Sequence, residues 1–214
     1  MDYLDKYIKY KSKYTKLKKT IDNDYNFYFV HMTKNLKNFK NILKSGQIKL
    51  GSNIPIKDKF LSGFVNEPYV FTNIYFEDLD NLDDFKDLSL IIKPKIINSQ
   101  SIEFVGGWGN FSIAKINPND SESVKIEKIN QMKKFIEKPY NLPNILLECP
   151  RFMQHEVRFT KPIDINKYLE GVVIYYTNND ELEKKLKKVK KLLKKYNLDN
   201  INIFSHDKKI IYSS

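Results

Sequence analysis

Apolar residues recur at two different periods along the chain, and these periods predict both strands and helices. The runs Phe27–Met32 and Tyr69–Phe76 are rich in aromatic and branched residues, which indicates β-strands that lie in a core. Leu88–Pro94 and Gly171–Tyr176 show the same pattern. Because helical patterns do not alternate regularly with these strands, the order predicts an α+β domain rather than repeated β-α units.

Apolar residues at helical spacing predict two internal helices. In the first, Leu36, Phe39 and Leu43 fall on one helix face, and Gly46 follows them. Glycine readily takes the left-handed backbone conformation that ends many helices, so we expect this helix to stop there. Residues 120–140 show the same apolar spacing and predict a second helix.

Both ends of the chain are predicted to be lysine-rich helices. In residues 2–20, tyrosine and leucine recur along one side of a helix, and lysines are frequent on the other side. Near the other end, Asn179 or Asp180 is predicted to cap a long helix with an apolar stripe. Asp180 and Glu183 have the spacing of a capping box, which supports this start.

These elements predict one domain with an appended helix. Residues 1–22 are predicted to form a basic N-terminal helix, and residues 23–214 are predicted to form a single α+β domain. We expect a mixed or antiparallel β core that is split into sheets and has flanking helices. A C-terminal helix and a hairpin are predicted over residues 180–212.

The net charge of +11 is concentrated in the two predicted terminal helices. Residues 1–20 contain seven lysines and two aspartates, and residues 181–195 contain eight lysines and two glutamates. The rest of the chain is therefore neutral, with 22 basic and 22 acidic residues. Basic helices suggest nucleic acid as a partner. Lysine is also favoured by AT-rich codons, however, and the only arginines are Arg151 and Arg158.

The sequence predicts no internal disulfide, no metal site and no membrane segment. Cys149 is the single cysteine, so an internal disulfide is excluded and a reducing, cytoplasmic compartment is expected. His31, His155 and His206 are not clustered at the spacing of zinc ligands, and no metal is predicted. No apolar run approaches the ~20 residues of a membrane helix, and no signal peptide follows Met1, so no membrane association is expected.

One strand-like segment, CPRFMQHEVRF, carries a row of polar groups. Because side chains alternate along a strand, Gln154, Glu156 and Arg158 share one face. The alternate positions from Met153 to Phe159 share the other face, which is predicted to lie in the core. An amide, a carboxylate and a guanidinium on one strand face indicate either a binding site or a solvated face with an ion pair.

The segment FYFVHMTKNLKNFKNILKSGQI, together with the QHE of the polar strand, resembles the ADP-ribosyltransferase family. That family includes DNA-modifying toxins and RNA 2′-phosphotransferases. A strand that ends in His-x-Thr before a helix is similar to the opening of the family fold, and HEVRFTKPIDINKYLEGVVI is similar to its closing pattern. The resemblance covers about residues 27–176 and implies an NAD-binding core there.

The resemblance implies transfer of ADP-ribose from NAD to a protein or nucleic acid acceptor. In the family, a glutamate on a strand is catalytic and an early histidine contacts the ribose of NAD. By this resemblance, Glu156 stabilises the oxocarbenium-like state that forms when a glycosidic bond breaks, and Gln154 positions the acceptor. The implied NAD-binding residues are His31, Thr33, Tyr69, Thr72 and Arg158, and Arg158 either pairs with pyrophosphate or neutralises Glu156.

A second hypothesis treats the chain as a non-enzymatic binding protein whose lysine-rich helices bind nucleic acid. Its basic, tyrosine-rich opening resembles proteins of giant amoebal DNA viruses, which suggests the host cytoplasm or the virion as its location. The two hypotheses differ in one structural expectation. An enzyme of this family needs His31 and Glu156 to line one cleft, whereas a binding protein does not.

Overall fold

Eleven strands, four α-helices and two short 3₁₀-helices (Gly51–Asn53 and Pro94–Asn98) make up the described part of the fold. A computed structural model describes residues 25–33, 35–53, 68–76, 88–106, 111–137, 156–206 and 210–213, so the predicted helix at residues 1–22 and Gln154 lie outside it. The strands are β1 (Phe27–Thr33), β2 (Gln47–Ile48), β3 (Val70–Phe76), β4 (Leu88–Ile92), β5 (Ile102–Gly106), β6 (Phe111–Ile116), β7 (Glu156–Phe159), β8 (Ile163–Asp164), β9 (Leu169–Ile174), β10 (Asn202–Ser205) and β11 (Ile210–Tyr212). The helices are α1 (Leu36–Ser45), α2 (Glu122–Glu137), α3 (Ile165–Tyr168) and α4 (Asn179–Lys195).

Nine of these strands form one mixed sheet in the order β11-β10-β9-β4-β1-β3-β7-β5-β6, with β1 at its centre. Neighbouring strands are antiparallel except β9 and β10, which are parallel and are connected through α4. The strands β2 and β8 form a separate two-stranded sheet. The predicted α+β class, with a mixed β core and flanking helices, is therefore confirmed.

The three longer helices pack on one side of the nine-stranded sheet, which we call the core face. Phe39 of α1, Met132 of α2 and Leu193 of α4 belong to the same buried cluster as Phe29 of the central strand. The ring of Phe29 meets that of Phe159 edge to face, with centroids 5.0 Å apart. The hydrophobic core thus lies between the sheet and these helices.

The opposite side of the sheet, which we call the second face, is aromatic and polar. Side chains alternate along a strand, so Val30 points away from the core face that Phe29 occupies. Val30 forms a smaller apolar cluster with Met32, Tyr75 and Tyr175. The sheet therefore presents two chemically different sides.

The ends of α1 follow from its local sequence. Asn35 precedes the helix in an extended conformation, and its side chain accepts a hydrogen bond from the Asn38 N–H at 3.0 Å. Gly46 has a φ of 69° and donates its N–H to the Leu43 carbonyl at 3.3 Å. The predicted stop at Gly46 is confirmed.

The start of α4 differs from the prediction by one residue. The cap is Asn178 rather than Asn179 or Asp180, and its side chain accepts a hydrogen bond from the Glu181 N–H at 2.9 Å. The Glu181 carboxylate accepts hydrogen bonds from the Thr177 N–H and hydroxyl, both at 2.8 Å. The earlier cap leaves Asp180 in the first turn, where its negative charge complements the helix dipole.

Candidate functional site

The register of strand pairing determines which of the predicted site residues share a face. Val30 of β1 lies opposite Asn73 of β3, and Asn73 lies opposite Glu156 of β7. Directly paired residues point to the same side of a sheet, so Glu156 lies on the second face with Val30. His31 is the next residue along β1 and pairs with Leu90 of the core, so it points to the core face.

The expectation that His31 and Glu156 line one cleft is therefore wrong. Their side chains leave the sheet on opposite faces, because the alternation along a strand has a period of two and the register brings Val30, not His31, into line with Glu156. The predicted NAD-binding residues accordingly fall into two groups: Tyr69 and Arg158 with Glu156 on the second face, and Thr33 and Thr72 with His31 on the core face.

The alternation predicted for the polar strand is confirmed over its described part, β7. Glu156 and Arg158 share the second face and contact each other. Val157 and Phe159, which alternate with them, are fully buried in the core. The third member of the predicted row, Gln154, lies outside the described residues.

On the second face, Arg158 lies beside a carboxylate and two aromatic rings. Its Nε donates a hydrogen bond to Glu156 Oε1 at 3.3 Å. Its guanidinium carbon lies 5.4 Å from the centre of the Tyr69 ring and 5.7 Å from that of the Phe71 ring, distances at which the cation is attracted to the ring face. Two roles were predicted for Arg158, pairing with pyrophosphate or neutralising Glu156. The structure shows the contact with Glu156.

The ion pair of Glu156 and Arg158 is largely removed from water. The Glu156 side chain is 12% exposed and that of Arg158 is 16% exposed. A charge buried to this extent requires a partner, because transfer of an unpaired ion out of water is costly. Glu156 is therefore held in an ion pair with Arg158 on the sheet and is not a solvated carboxylate on an open surface.

On the core face, His31, Thr33 and Thr72 place polar groups among apolar residues. The Nδ1 of His31 donates its proton to the Phe71 carbonyl at 2.8 Å, since a carbonyl oxygen can only accept. The Thr33 hydroxyl donates to the Leu88 carbonyl at 3.0 Å. The Thr72 hydroxyl is buried and has no hydrogen-bond partner within the described ranges.

Burial lowers the pKa of His31 below its ordinary value of 6.5. The hydrogen bond to the Phe71 carbonyl has a smaller effect in the opposite direction, because it favours the protonated ring. The imidazole is therefore neutral at neutral pH, with its proton on Nδ1 and a lone pair on Nε2. Such a ring can accept a hydrogen bond, but it has no positive charge with which to attract a phosphate.

Positive charge is concentrated on α4, along the side opposite its buried residues Val189 and Leu193. Two of its eight lysines contact other side chains. Lys185 forms an ion pair within the helix at 2.9 Å, and the Nζ of Lys190 lies 3.8 Å from the centre of the Tyr212 ring. The other six lysines are exposed, and we call them the lysine face: Lys184, Lys187, Lys188, Lys191, Lys194 and Lys195.

A further set of lysines lies on α1. They were missed from the sequence alone, because the net charge is concentrated in residues 1–20 and 181–195. This helix contacts α4 and exposes Lys37, Lys40 and Lys44. None of its ten residues is acidic. The sequence signal is a lysine at every third or fourth position, but only the contact between the two helices brings these lysines next to the lysine face.

The described ranges of the chain contain neither a metal-binding cluster nor a membrane-spanning helix. There, no three His, Cys, Asp or Glu side chains are grouped so that they could hold a metal ion. None of the helices in the described segments is long and apolar enough to cross a membrane. The residues predicted to bind NAD are divided between the two faces, so they do not form a single binding site.

Comparison with known proteins identifies the family. Residues 25–139, from the start of β1 through α2, match a family of unknown function, DUF5846. The chain belongs to this family. His31 and α1 lie within the matched region, whereas Glu156 and α4 follow it in the chain.

A relative of this chain is an uncharacterized protein of Acanthamoeba polyphaga mimivirus, to which it is 41% identical over 169 residues. The alignment covers 77% of this chain and 62% of the relative, so the chain spans less than two thirds of that protein's length. No solved structure matches the chain significantly. The viral origin of the relative agrees with the resemblance to giant amoebal virus proteins, and neither comparison indicates an ADP-ribosyltransferase.

We expect Glu156→Gln to lower the free energy of unfolding by about 1.5–3 kcal/mol, the range typical of hydrogen bonds to charged groups. The substitution keeps the shape of the side chain but leaves the Arg158 guanidinium beside a neutral amide. Urea denaturation measures the loss. The matched control is Glu103→Gln, because Glu103 lies opposite Arg158 on β5 yet forms no ion pair within the described residues.

A double substitution separates electrostatics from packing in this test. When Glu156→Gln is combined with Arg158→Met, the cost is expected to be smaller than the sum of the two single costs, because no unpaired charge remains in the sheet. Additive costs, or equal losses in Glu156→Gln and Glu103→Gln, would show that the ion pair does not stabilise the fold.

We also expect the stability of the protein to fall as the pH is lowered below about 6.5, with His31 responsible for part of the fall. The pKa of His31 is lower in the folded chain than the ordinary 6.5 of the unfolded chain. The unfolded state therefore takes up its proton first, and stabilisation present above pH 6.5 is lost as the pH falls through the folded pKa. His31→Gln, which can still donate to the Phe71 carbonyl, should flatten the dependence measured by denaturation.

The matched control for this experiment is His206→Gln, which removes another half-buried histidine. Hydrogen bonds from Lys185 and Thr177 lower the pKa of Glu181 to about 2, so that carboxylate titrates below the range tested. If His31→Gln keeps the pH dependence of the parent protein, or if only His206→Gln flattens it, His31 is not responsible for the fall in stability.

Proposed function

We propose that this protein binds nucleic acid through the lysine face of α4. The observation that carries the proposal is that six exposed lysines follow one side of a helix whose other side is buried in the core. None of the six forms an ion pair within the described residues. Uncompensated positive charge of this kind attracts phosphates, and binding gains free energy as the nucleic acid releases its counterions.

The spacing within the lysine face suits a line of phosphates. Lys184, Lys188, Lys191 and Lys195 follow one another at helical spacing and form a single row. At about 1.5 Å per residue, this row is roughly 16 Å long. Because successive phosphates of one DNA strand rise by only about 3.4 Å along the duplex axis, a row of this length can contact several phosphates.

Burial of the apolar side of α4 favours nucleic acid over a membrane surface as the partner. A basic amphipathic helix that binds a membrane inserts its apolar side among the lipid headgroups. In this protein Val189 and Leu193 are buried in the core, so insertion would require α4 to leave the sheet. Binding to phosphates needs only the exposed lysines.

Helix stability alone does not explain the position of these lysines. Lys194 and Lys195 lie in the last turn, where positive charge complements the helix dipole. Lys187, Lys188 and Lys191 lie further from the end, and like charges three or four residues apart destabilise a helix. A bound polyanion would remove this repulsion.

Because the mimivirus relative is a viral protein, we infer that binding takes place in the host cytoplasm or in the virion.

We expect the combined substitution of Lys184, Lys188 and Lys191 by Gln to weaken binding and to reduce its salt dependence. Each phosphate contact contributes about −0.7 to −0.9 to the slope of log K against log salt concentration, so the slope should become about 2 to 3 units less negative. Fluorescence anisotropy of a labelled oligonucleotide at several salt concentrations measures both effects.

The matched control replaces three exposed lysines at the other end of the sheet, Lys115, Lys134 and Lys161, by Gln. Both variants lower the net charge by three, from +11 to +8. Circular dichroism checks that both remain folded. Equal losses of affinity in the two variants would attribute binding to overall charge and would contradict a role for the lysine face.

We make a second proposal, transfer of ADP-ribose from NAD, on the basis of Glu156 and the nearby rings of Tyr69 and Phe71. A carboxylate can stabilise an oxocarbenium-like state, and an aromatic ring offers a surface on which nicotinamide can pack. Arg158 would have to exchange its contact with Glu156 for one with the pyrophosphate of NAD. His31 lies on the other face of the sheet, so this proposal does without the histidine that the resemblance to ADP-ribosyltransferases required, and it keeps only the chemistry of the carboxylate and the rings.

We expect Glu156→Gln to lower nicotinamide release from NAD by about 10² to 10⁴, as for other charged catalytic groups, and His31→Gln to leave it unchanged. The assay supplies NAD and a cell extract as the source of acceptors, and it is run where both variants are folded. Equal release by Glu156→Gln and the parent protein would remove Glu156 from the mechanism. No release by the parent protein would leave nucleic-acid binding as the supported function.

A further inference from the structure

We infer that the nucleic acid bound by this protein is double-stranded, and that α1 and α4 contact its two phosphate backbones. The inference rests on the proposed binding of nucleic acid by the lysine face. It adds α1 to the binding surface and names the form of nucleic acid that the surface fits.

The helices α1 and α4 present their lysines on the same side of the protein. Both pack on the core face, α1 through Phe39 and Leu43 and α4 through Val189 and Leu193. Their exposed sides therefore both point away from the sheet. Because the two helices contact each other, the exposed lysines of α1 extend the lysine face sideways.

The separation of the two helices suits a duplex better than a single strand. Helices in contact have axes roughly 8–10 Å apart. A duplex has two phosphate backbones, which flank a major groove about 12 Å wide and a minor groove about 6 Å wide. A single strand offers one line of phosphates. Two sets of lysines at this separation can therefore neutralise both backbones of a duplex at once.

Among the described residues, α1 and α4 lack the exposed aromatic rings on which proteins that hold single strands stack the bases. The rings beside the lysine face are only partly exposed, and each has a lysine ammonium near it. The Nζ of Lys190 lies 3.8 Å from the centre of the Tyr212 ring, and that of Lys195 lies 5.9 Å from the centre of the Tyr196 ring. Neither α1 nor α4 has an exposed aromatic side chain. Affinity for single strands should therefore be electrostatic only.

Contacts between lysines and phosphates place a protein on a duplex but do not read its sequence. The exposed sides of α1 and α4 carry lysines and no arginine, the side chain that most often recognises guanine. We therefore expect binding to duplexes of different sequence to be equally tight.

The test compares a duplex with a single strand of the same sequence and length, for the parent protein and for Lys40→Gln with Lys44→Gln. The parent should bind the duplex about tenfold or more tightly. The α1 double variant should lose about 2 units of salt slope on the duplex, at about 0.9 per contact, and almost none on the single strand. Its matched control is Lys115→Gln with Lys134→Gln, which also lowers the net charge from +11 to +9.

The outcomes separate this inference from the proposed function. Equal or tighter binding of the single strand, or equal effects of the α1 double variant and its control, would overturn the inference while the α4 triple variant still weakened binding. If the α4 triple variant bound as its own control does, the proposed function would fail, and the inference with it. Duplex preference together with a selective effect of the α1 substitutions supports both.

Discussion

Burial of Phe27 and Phe29 on one side of the central strand is the contact on which the rest of the structure depends. β1 is the middle strand of the nine-stranded sheet, and the ring of Phe29 reaches across β3 to meet Phe159 of β7. A shift of one residue in the register of β1 would turn both phenylalanines away from the helices. Since burial of a side chain of this size is worth about 1.5–3 kcal/mol, the two together hold the register of β3 and β4 against β1.

That register also distributes the polar side chains of the sheet. With Phe29 toward the helices, Val30 and its partners Asn73 and Glu156 face the other side. Glu156 lies there with Arg158, and the two charges, largely removed from water, are held as an ion pair. His31 lies on the apolar side, where burial favours its neutral form. One layer of backbone thus separates an ionic group from a neutral histidine.

The helices that complete the core also carry the exposed lysines of the proposed binding surface. α1 and α4 each place one apolar side on the sheet, so their lysines remain on the side that faces solvent. Packing matters for the proposed binding, because lysines on an anchored helix could act together on one polyanion without the cost of ordering a flexible segment. α1 lies within the region that matches the family, and α4 lies after it, so the proposed surface joins two distant parts of the chain.

The sequence by itself determined the elements of this protein and the faces of its strands. Gly46 predicted the end of α1, and alternation along β7 predicted that Glu156 and Arg158 share a face, because both depend on backbone geometry over a few residues. The cap of α4 lies one residue earlier than predicted, because Asn178, Asn179 and Asp180 are consecutive and all carry side chains that can cap a helix. Only the tertiary structure decided that β3 lies between β1 and β7 in a register that places His31 and Glu156 on opposite faces, and that α1 lies against α4. Pairing between distant segments depends on how whole faces pack together, and the local periodicity of either segment contains no information about its partner.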